Sequence, residues 1–237
     1  QKRQYFYLSR ELIKMLTTDT NLLRLLQLSS VSLPVGGYAF SQGLEFAIEA
    51  GLIKQDKQVH DWILAQLEHS LSQLDLPLLM HCLQALQNED SAQLVKLNQL
   101  SLACRESKEL RLTETAMGEA LARLLNSLQI PTPFNKGQEV SFVCLFAIAC
   151  HHWQIEYQLA ATGFSWSWLE NQVAAATKLV PLGQTQAQVL LGQLQAAIPA
   201  QVDDASTVEI DDIGAGLPMV AILSARHEQQ YSRLFRS

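Results

Sequence analysis

Cys150, His151 and His152 are three consecutive residues whose thiol and imidazole groups suit nickel or zinc. On a helix, neighbours point about 100° apart, at 3.6 residues per turn. Three in a row therefore do not converge easily on one ion, and the cluster reads as a buried cysteine followed by surface histidines. His60, His69 and His81 are scattered and read as ordinary helix residues. No dedicated metal or cofactor site is predicted. Gly36-Gly37 followed by Ser41-Gln42-Gly43-Leu44-Glu45 is a glycine-rich turn into a helix N-terminus. Backbone N–H groups in such a place can hold an anion. The lysine and preceding strand of a nucleotide loop are missing, so a tight turn plus a cap is the simpler reading. Arg105-Glu106-Ser107-Lys108-Glu109-Leu110-Arg111 mixes charges along a helix and reads by default as a solvated face. The motifs GxxxxGK[ST], GxSxG and HExxH are absent. No catalytic residue is nominated, and composition and spacing reach only a soluble all-helical domain that is not expected to be an enzyme.

The elements that must carry these residues read as helices throughout. Leucine dominates and β-branched runs are short. Asp19 or Thr20 is expected to cap a short helix through Leu22, Leu23, Leu25 and Leu26, and Ser41 a helix that stops at Gly51. Asp56 is expected to cap the next, whose Val59, Trp62, Ile63, Leu67, Leu71 and Leu74 form one stripe. Asp75-Leu76-Pro77 reads as a new cap with proline in the first turn. Ser91 is expected to open a further helix, and a long one carries Leu110, Met117, Leu121 and Leu125 up to Pro131. Later helices are expected at about 138–150, 153–162, 165–180 and 184–198, punctuated by Gly163, Pro181 and Pro199. Residues 201–212 are acidic and poor in core residues, and read as a linker or surface loop. Residues 213–237 end as an amphipathic, basic tail. The expected architecture is all-α: a single helical domain of roughly nine or ten helices, spanning 15–237. Residues 1–14 read as an N-terminal extension, with Met15 as the natural start.

Composition narrows the class. Hydrophobic residues make up 48% of the 237-residue chain and charged residues 17%, which suits a packed core rather than disorder. The net charge is −6 with no dense basic block, so nucleic acid is not an expected partner. The longest apolar stretch, 140–150, is about half the 20 residues a membrane-spanning helix needs, so no membrane is expected. No secretion signal is recognisable. Cys82, Cys104, Cys144 and Cys150 lack any CxxC pairing and read as free thiols of a cytoplasmic protein.

Four ordered segments carry a resemblance. Leu25-Leu26-Gln27-Leu28-Ser29-Ser30, Leu33-Pro34-Val35-Gly36-Gly37-Tyr38 and Ser41-Gln42-Gly43-Leu44-Glu45 together resemble the N-terminal signature of the UreF family. Arg105-Glu106, Glu109-Leu110-Arg111 and Met117-Gly118 resemble its central motif. Leu179-Val180-Pro181-Leu182-Gly183-Gln184 resembles its proline motif, and Arg226-His227-Glu228 with Tyr231-Ser232-Arg233-Leu234-Phe235 its C-terminal motif. One departure stands at Thr132-Pro133-Phe134-Asn135-Lys136-Gly137, where many members carry His-Tyr-Pro before the glycine.

The resemblance implies an all-α, homodimeric accessory protein of urease maturation. It implies binding to UreD (also called UreH), recruitment of the GTPase UreG, and docking of the assembly on apo-urease for nickel insertion. Nickel is then handled by the complex. A GTPase-activating role towards UreG is the alternative, with Arg105, Arg111 and Arg233 as the arginines available to it. Carried over residue by residue, the partner-binding candidates are Gly36, Gly37, Gln42, Glu45, Arg105, Glu106, Arg111, Lys178, Gln184, Arg226, His227, Tyr231, Arg233 and Leu234. Each has a plainer alternative. Glu45 could be a first-turn charge, Lys178 a helix-end cation, and the C-terminal segment a helix packed within its own fold.

Overall fold

The computed structural model describes residues 20–135, 137–214 and 216–236. The expectations for residues 1–14 and Met15 lie outside them. Among the described residues all regular structure is helical, in one all-α domain. Helix α1 covers 20–28, and a 3₁₀ turn Gly37–Ala39 leads to α2 (Leu44–Glu49). Then follow α3 (Asp56–Gln66), a π-helical stretch Leu67–Asp75, α4 (Leu76–Gln87), α5 (Ser91–Ala103) and α6 (Lys108–Ser127). The second half holds α7 (Phe142–His152), α8 (Tyr157–Leu179), α9 (Gln184–Leu194), α10 (Ile198–Ala205) and α11 (Pro218–His227). Short 3₁₀ turns occupy Gln195–Ala197 and Ile210–Asp212.

Helix α7 is the axle. Every residue from Phe142 to Cys150 is buried, and α4 and α6 pack on it. Phe142, Phe146 and Phe164 form an aromatic cluster with centroids 5.2 to 6.0 Å apart. Such pairs add to the burial of apolar area. Its start is fixed by Ser141, whose Oγ accepts from the Cys144 N–H at 3.3 Å.

Several boundaries differ from the sequence reading. Asp56 is not the cap of α3. Instead the Gln58 side-chain oxygen reaches back to accept from the Lys54 and Gln55 N–H groups, at 2.8 and 3.2 Å. Helix α5 does open at Ser91 as expected, with Asp90 before it as the cap, accepting from the Gln93 N–H at 2.8 Å. Asp75 caps nothing: with φ −70° and ψ −43° it is helical, and α3, the π stretch and α4 run on as one rod. Pro77 explains the π stretch. A proline inside an α-helix clashes with the carbonyl four residues back and leaves it without its N–H. The wider π turns just before Pro77 relieve that clash. The carbonyl in question, of Gln73, accepts instead from the Gly214 N–H at 3.3 Å.

Gly163 does not punctuate a helix; it lies within α8, where a Cβ would come 2.5 Å from Leu25 Cδ1. Its bareness lets α1 lie against α8. Residues 201–205 are not linker but the second half of α10, whose Ile198, Val202 and Ala205 are buried while Asp203 and Asp204 face out. Three apolar residues at helical spacing sufficed against the acidic ones.

Gly118 sits where α6 passes the backbone before α7; a Cβ there would overlap the Val140 carbonyl. Gly192 in α9 has nothing within 4 Å of that position. Gly118→Ala should therefore lose about 1–3 kcal/mol by overpacking. Gly192→Ala should gain about 0.4–1 kcal/mol from a stiffer unfolded chain. Urea denaturation of the two variants should shift the midpoint in opposite directions.

Candidate functional site

Three of the four segments that carry the resemblance, the N-terminal, central and C-terminal ones, meet in space around one buried imidazole. His227 ends α11 with no exposed surface. Its Nε2 lies 2.9 Å from Glu45 Oε2, and its Nδ1 lies 2.8 Å from Glu109 Oε2 and 3.1 Å from Glu109 Oε1. Both nitrogens thus face carboxylate oxygens, a geometry satisfied when both carry hydrogen or when one carboxyl supplies it. Glu45 also accepts from two backbone N–H groups beyond the helix, Leu234 at 2.7 Å and Phe235 at 2.9 Å. The Arg233 guanidinium donates to Glu109 Oε1 at 3.1 Å. Burial pushes the Glu109 carboxyl above its ordinary range; the His227 hydrogen bond and the charges of His227 and Arg233 pull the other way.

Local sequence sets up this meeting. Gln42 and Gly43 both take positive φ, 49° and 84°, and turn the chain sharply into α2 so that Glu45 faces inward. Ser107 caps α6 by accepting from the Leu110 N–H at 3.1 Å, and its hydroxyl also pairs with that of Ser224 at 2.8 Å. Phe235 is buried, with the Lys178 ammonium 5.4 Å from its ring centre. The Arg236 N–H donates to the Ala39 carbonyl at 2.8 Å, which stitches the tail to the N-terminal turn.

A second ionic cluster lies inside. Arg105 pairs with Asp75 at 2.5 Å and with Glu114 at 2.9 Å, all three side chains about nine-tenths buried. Glu114 Oε1 accepts from the Val143 N–H at 3.1 Å, placing its carboxyl at the N-terminus of α7. Burial pushes the Glu114 carboxyl up; Arg105 pulls it down, Asp75 pushes it up again, and upward wins.

The predicted partner residues divide accordingly. Arg226, Tyr231, Arg233 and Leu234 are exposed on the tail, Tyr231 completely and Leu234 at 64%. Lys178 and Gln184 are exposed beside the proline turn, and Glu106 is exposed beside Gly216. Arg111 lies elsewhere, bound to Glu139 at 2.6 Å and to the Leu102 carbonyl at 3.0 Å. Gly36 supplies a positive φ of 75°, and Gly37 passes so close to Asn171 that a Cβ would come within 2.9 Å. Gln42 accepts from Trp168 Nε1 at 2.8 Å and from the Gln172 amide at 3.3 Å, fastening the turn to α8. Glu45, Arg105 and His227 face the interior, not a surface.

Glu109, Asp75 and Glu114 were not among the predicted residues. A signal for Glu109 exists: it shares a helical face with Thr113, Met117, Leu121 and Leu125. A carboxylate on such a stripe demands a buried partner. Cys150 is buried while His151 and His152 are exposed, so those three do not converge. Among the described residues no three of His, Cys, Asp or Glu are grouped to hold a metal ion.

A family model described as UreF matches residues 53–195. The chain is similar to the urease accessory protein UreF of Marinomonas sp. (strain MWYL1), 61% identical over 221 residues, covering 93% of this chain and 96% of that protein. It is 44% identical to that of Hahella chejuensis over 218 residues, covering 91% and 98%. It is 43% identical to that of Alkalilimnicola ehrlichii over 216 residues, covering 90% and 95%.

His227→Leu leaves two buried carboxylates without their shared donor. A loss of about 3–5 kcal/mol is expected, with residues 228–236 becoming the first amides to exchange in hydrogen-exchange mass spectrometry. A second expectation concerns pH. A carboxyl whose folded pKa is raised above its ordinary 4.5 binds more protons folded than unfolded. Stability from Glu114 is therefore greatest in acid and falls as pH rises above about 4.5. The stability difference between the wild type and Glu114→Gln should shrink across that rise, by urea melts from pH 4.5 upward.

Proposed function

The chain belongs to the UreF family, and from that premise we propose that it acts as a non-catalytic adaptor of urease maturation. In this reading it binds UreD (UreH), recruits the GTPase UreG, and brings it to apo-urease for nickel insertion. Nickel is cargo of the assembly rather than a resident cofactor of this chain. The proposed setting is the cytoplasm and the proposed state a homodimer.

One observation carries the docking role. The C-terminal segment is held from inside by His227, Phe235 and the Arg233–Glu109 pair, while Arg226, Tyr231 and Leu234 point outward. Tyrosine and arginine are favoured as interface anchors. A rigidly held, outward-facing segment loses little conformational freedom on binding. The chain as a whole is acidic, so a basic and aromatic patch selects an acidic, apolar partner face. Further apolar side chains, Met219 and Ile222 on the outer side of α11, extend the patch. Arg105, Arg111 and Arg233 are each engaged with carboxylates, which favours the adaptor over an arginine finger.

Tyr231→Ala combined with Leu234→Ala removes only exposed side chains, so stability should stay within about 0.5 kcal/mol of wild type. Co-purification with UreD, and nickel content of urease matured in a host carrying all the accessory genes, should both fall at least tenfold. Full nickel loading by the double variant would refute docking through the tail. Full loading in the complete absence of this chain would refute the adaptor reading itself.

A further inference from the structure

Between the π stretch, α6 and α8 lies a cavity of about 90 Å³. One side is lined by Gly37, Phe40 and Gln42 of the N-terminal turn and by Gly216, Leu217 and Val220 at the entry to α11. Most of its wall is apolar, with Phe142, Phe146, Phe164 and Trp168 prominent. Among the residues lining it, three buried polar atoms have no hydrogen-bond partner in the protein. They are Gln66 Nε2 and Arg105 Nε, which are donors, and Gln172 Oε1, an acceptor. Gln66 and Gln172 are 3% and 1% exposed. The Gln172 amide nitrogen is already committed to Gln42, so its oxygen is left over.

An orphaned buried polar group costs about 1–3 kcal/mol, and native proteins rarely leave several around one space. An anion would face the two carboxylates that Arg105 already meets, Asp75 and Glu114, and a cation would face the guanidinium and the two unpartnered donors. A purely apolar guest would satisfy none of the three atoms. The remaining chemistry is a small neutral molecule that accepts from Gln66 and Arg105 and donates to Gln172. The π stretch places Ser70, Leu71, Leu74 and Asp75 on the same wall, and π segments are frequent where a fold builds a site.

We infer that this cavity is a binding site for small neutral molecules that donate and accept hydrogen bonds at once: ordered water, and by the same chemistry a small amide. At about 30 Å³ of liquid volume for each water, it has room for roughly three. Such a cluster completes the hydrogen bonding around Arg105 and keeps the ion triad hydrated inside the fold. This role is independent of partner docking at the tail.

Crystals of the full chain test it, grown with and without acetamide, and separately pressurised with xenon. Xenon enters dry apolar cavities. In the wild type, solvent-sized density should bridge Gln66, Arg105 and Gln172, and xenon should stay out of the cavity. Density for acetamide in place of that solvent assigns an organic guest; unchanged solvent assigns water. Either outcome supports the site. Xenon occupying the wild-type cavity, with none of the three atoms bridged, overturns it. Gln66→Leu combined with Gln172→Leu should reverse the pattern, losing the bridging density and admitting xenon. The wild-type measurement decides the matter even where that variant does not fold.

Discussion

A histidine with no exposed surface, placed between two carboxylates, is an expensive arrangement that the rest of this fold is organised to support. Removing such groups from water costs several kcal/mol per ion unless partners replace the solvent. Here the replacements come from distant parts of the chain. Glu45 is 182 residues from His227 and Glu109 is 118 residues away. Glu45 also takes the backbone N–H groups of residues 234 and 235, so one carboxylate fixes both the end of α11 and the chain beyond it. The network makes the C-terminal segment part of the domain and determines which of its side chains are left facing solvent.

The proline at position 77 imposes a second constraint. It widens the long α3–α4 rod and releases the Gln73 carbonyl to Gly214, beside the Asp75 that pairs with Arg105. A single missing N–H thus connects the rod to the segment that enters α11, and helps frame the cavity beneath it. The two ionic clusters are joined through α6, which carries Glu109 in its first turn and Glu114 one and a half turns later. Disturbing the start of α6 therefore touches both.

The all-α class was legible from leucine-rich stripes at helical spacing, and the family from four short segments in order. Helix ends were less legible, because the cap is not always the nearest acidic residue: Gln58 reaches back past Asp56. The acidic composition of 201–205 concealed a helix held by only three apolar residues. Proline at 77 marks a helix start in the sequence, whereas the rod runs through it by widening. For the candidate site, the motif residues were legible as a set but not their division of labour. Local spacing carries no information on whether a charged side chain points to solvent or to a partner more than a hundred positions away.

By itself, then, the sequence determined the helical periodicity, the turn at Gly36–Gly37, and membership of the UreF family. These depend on neighbours a few residues apart, or on motif identity alone. Tertiary structure decided the rest. It buried Glu45, Arg105 and His227, turned Tyr231 and Leu234 outward, and separated Cys150 from the two histidines that follow it. The physical reason is desolvation. Whether a polar group is a surface contact or an internal strut depends on which partners the packed fold brings within hydrogen-bond reach.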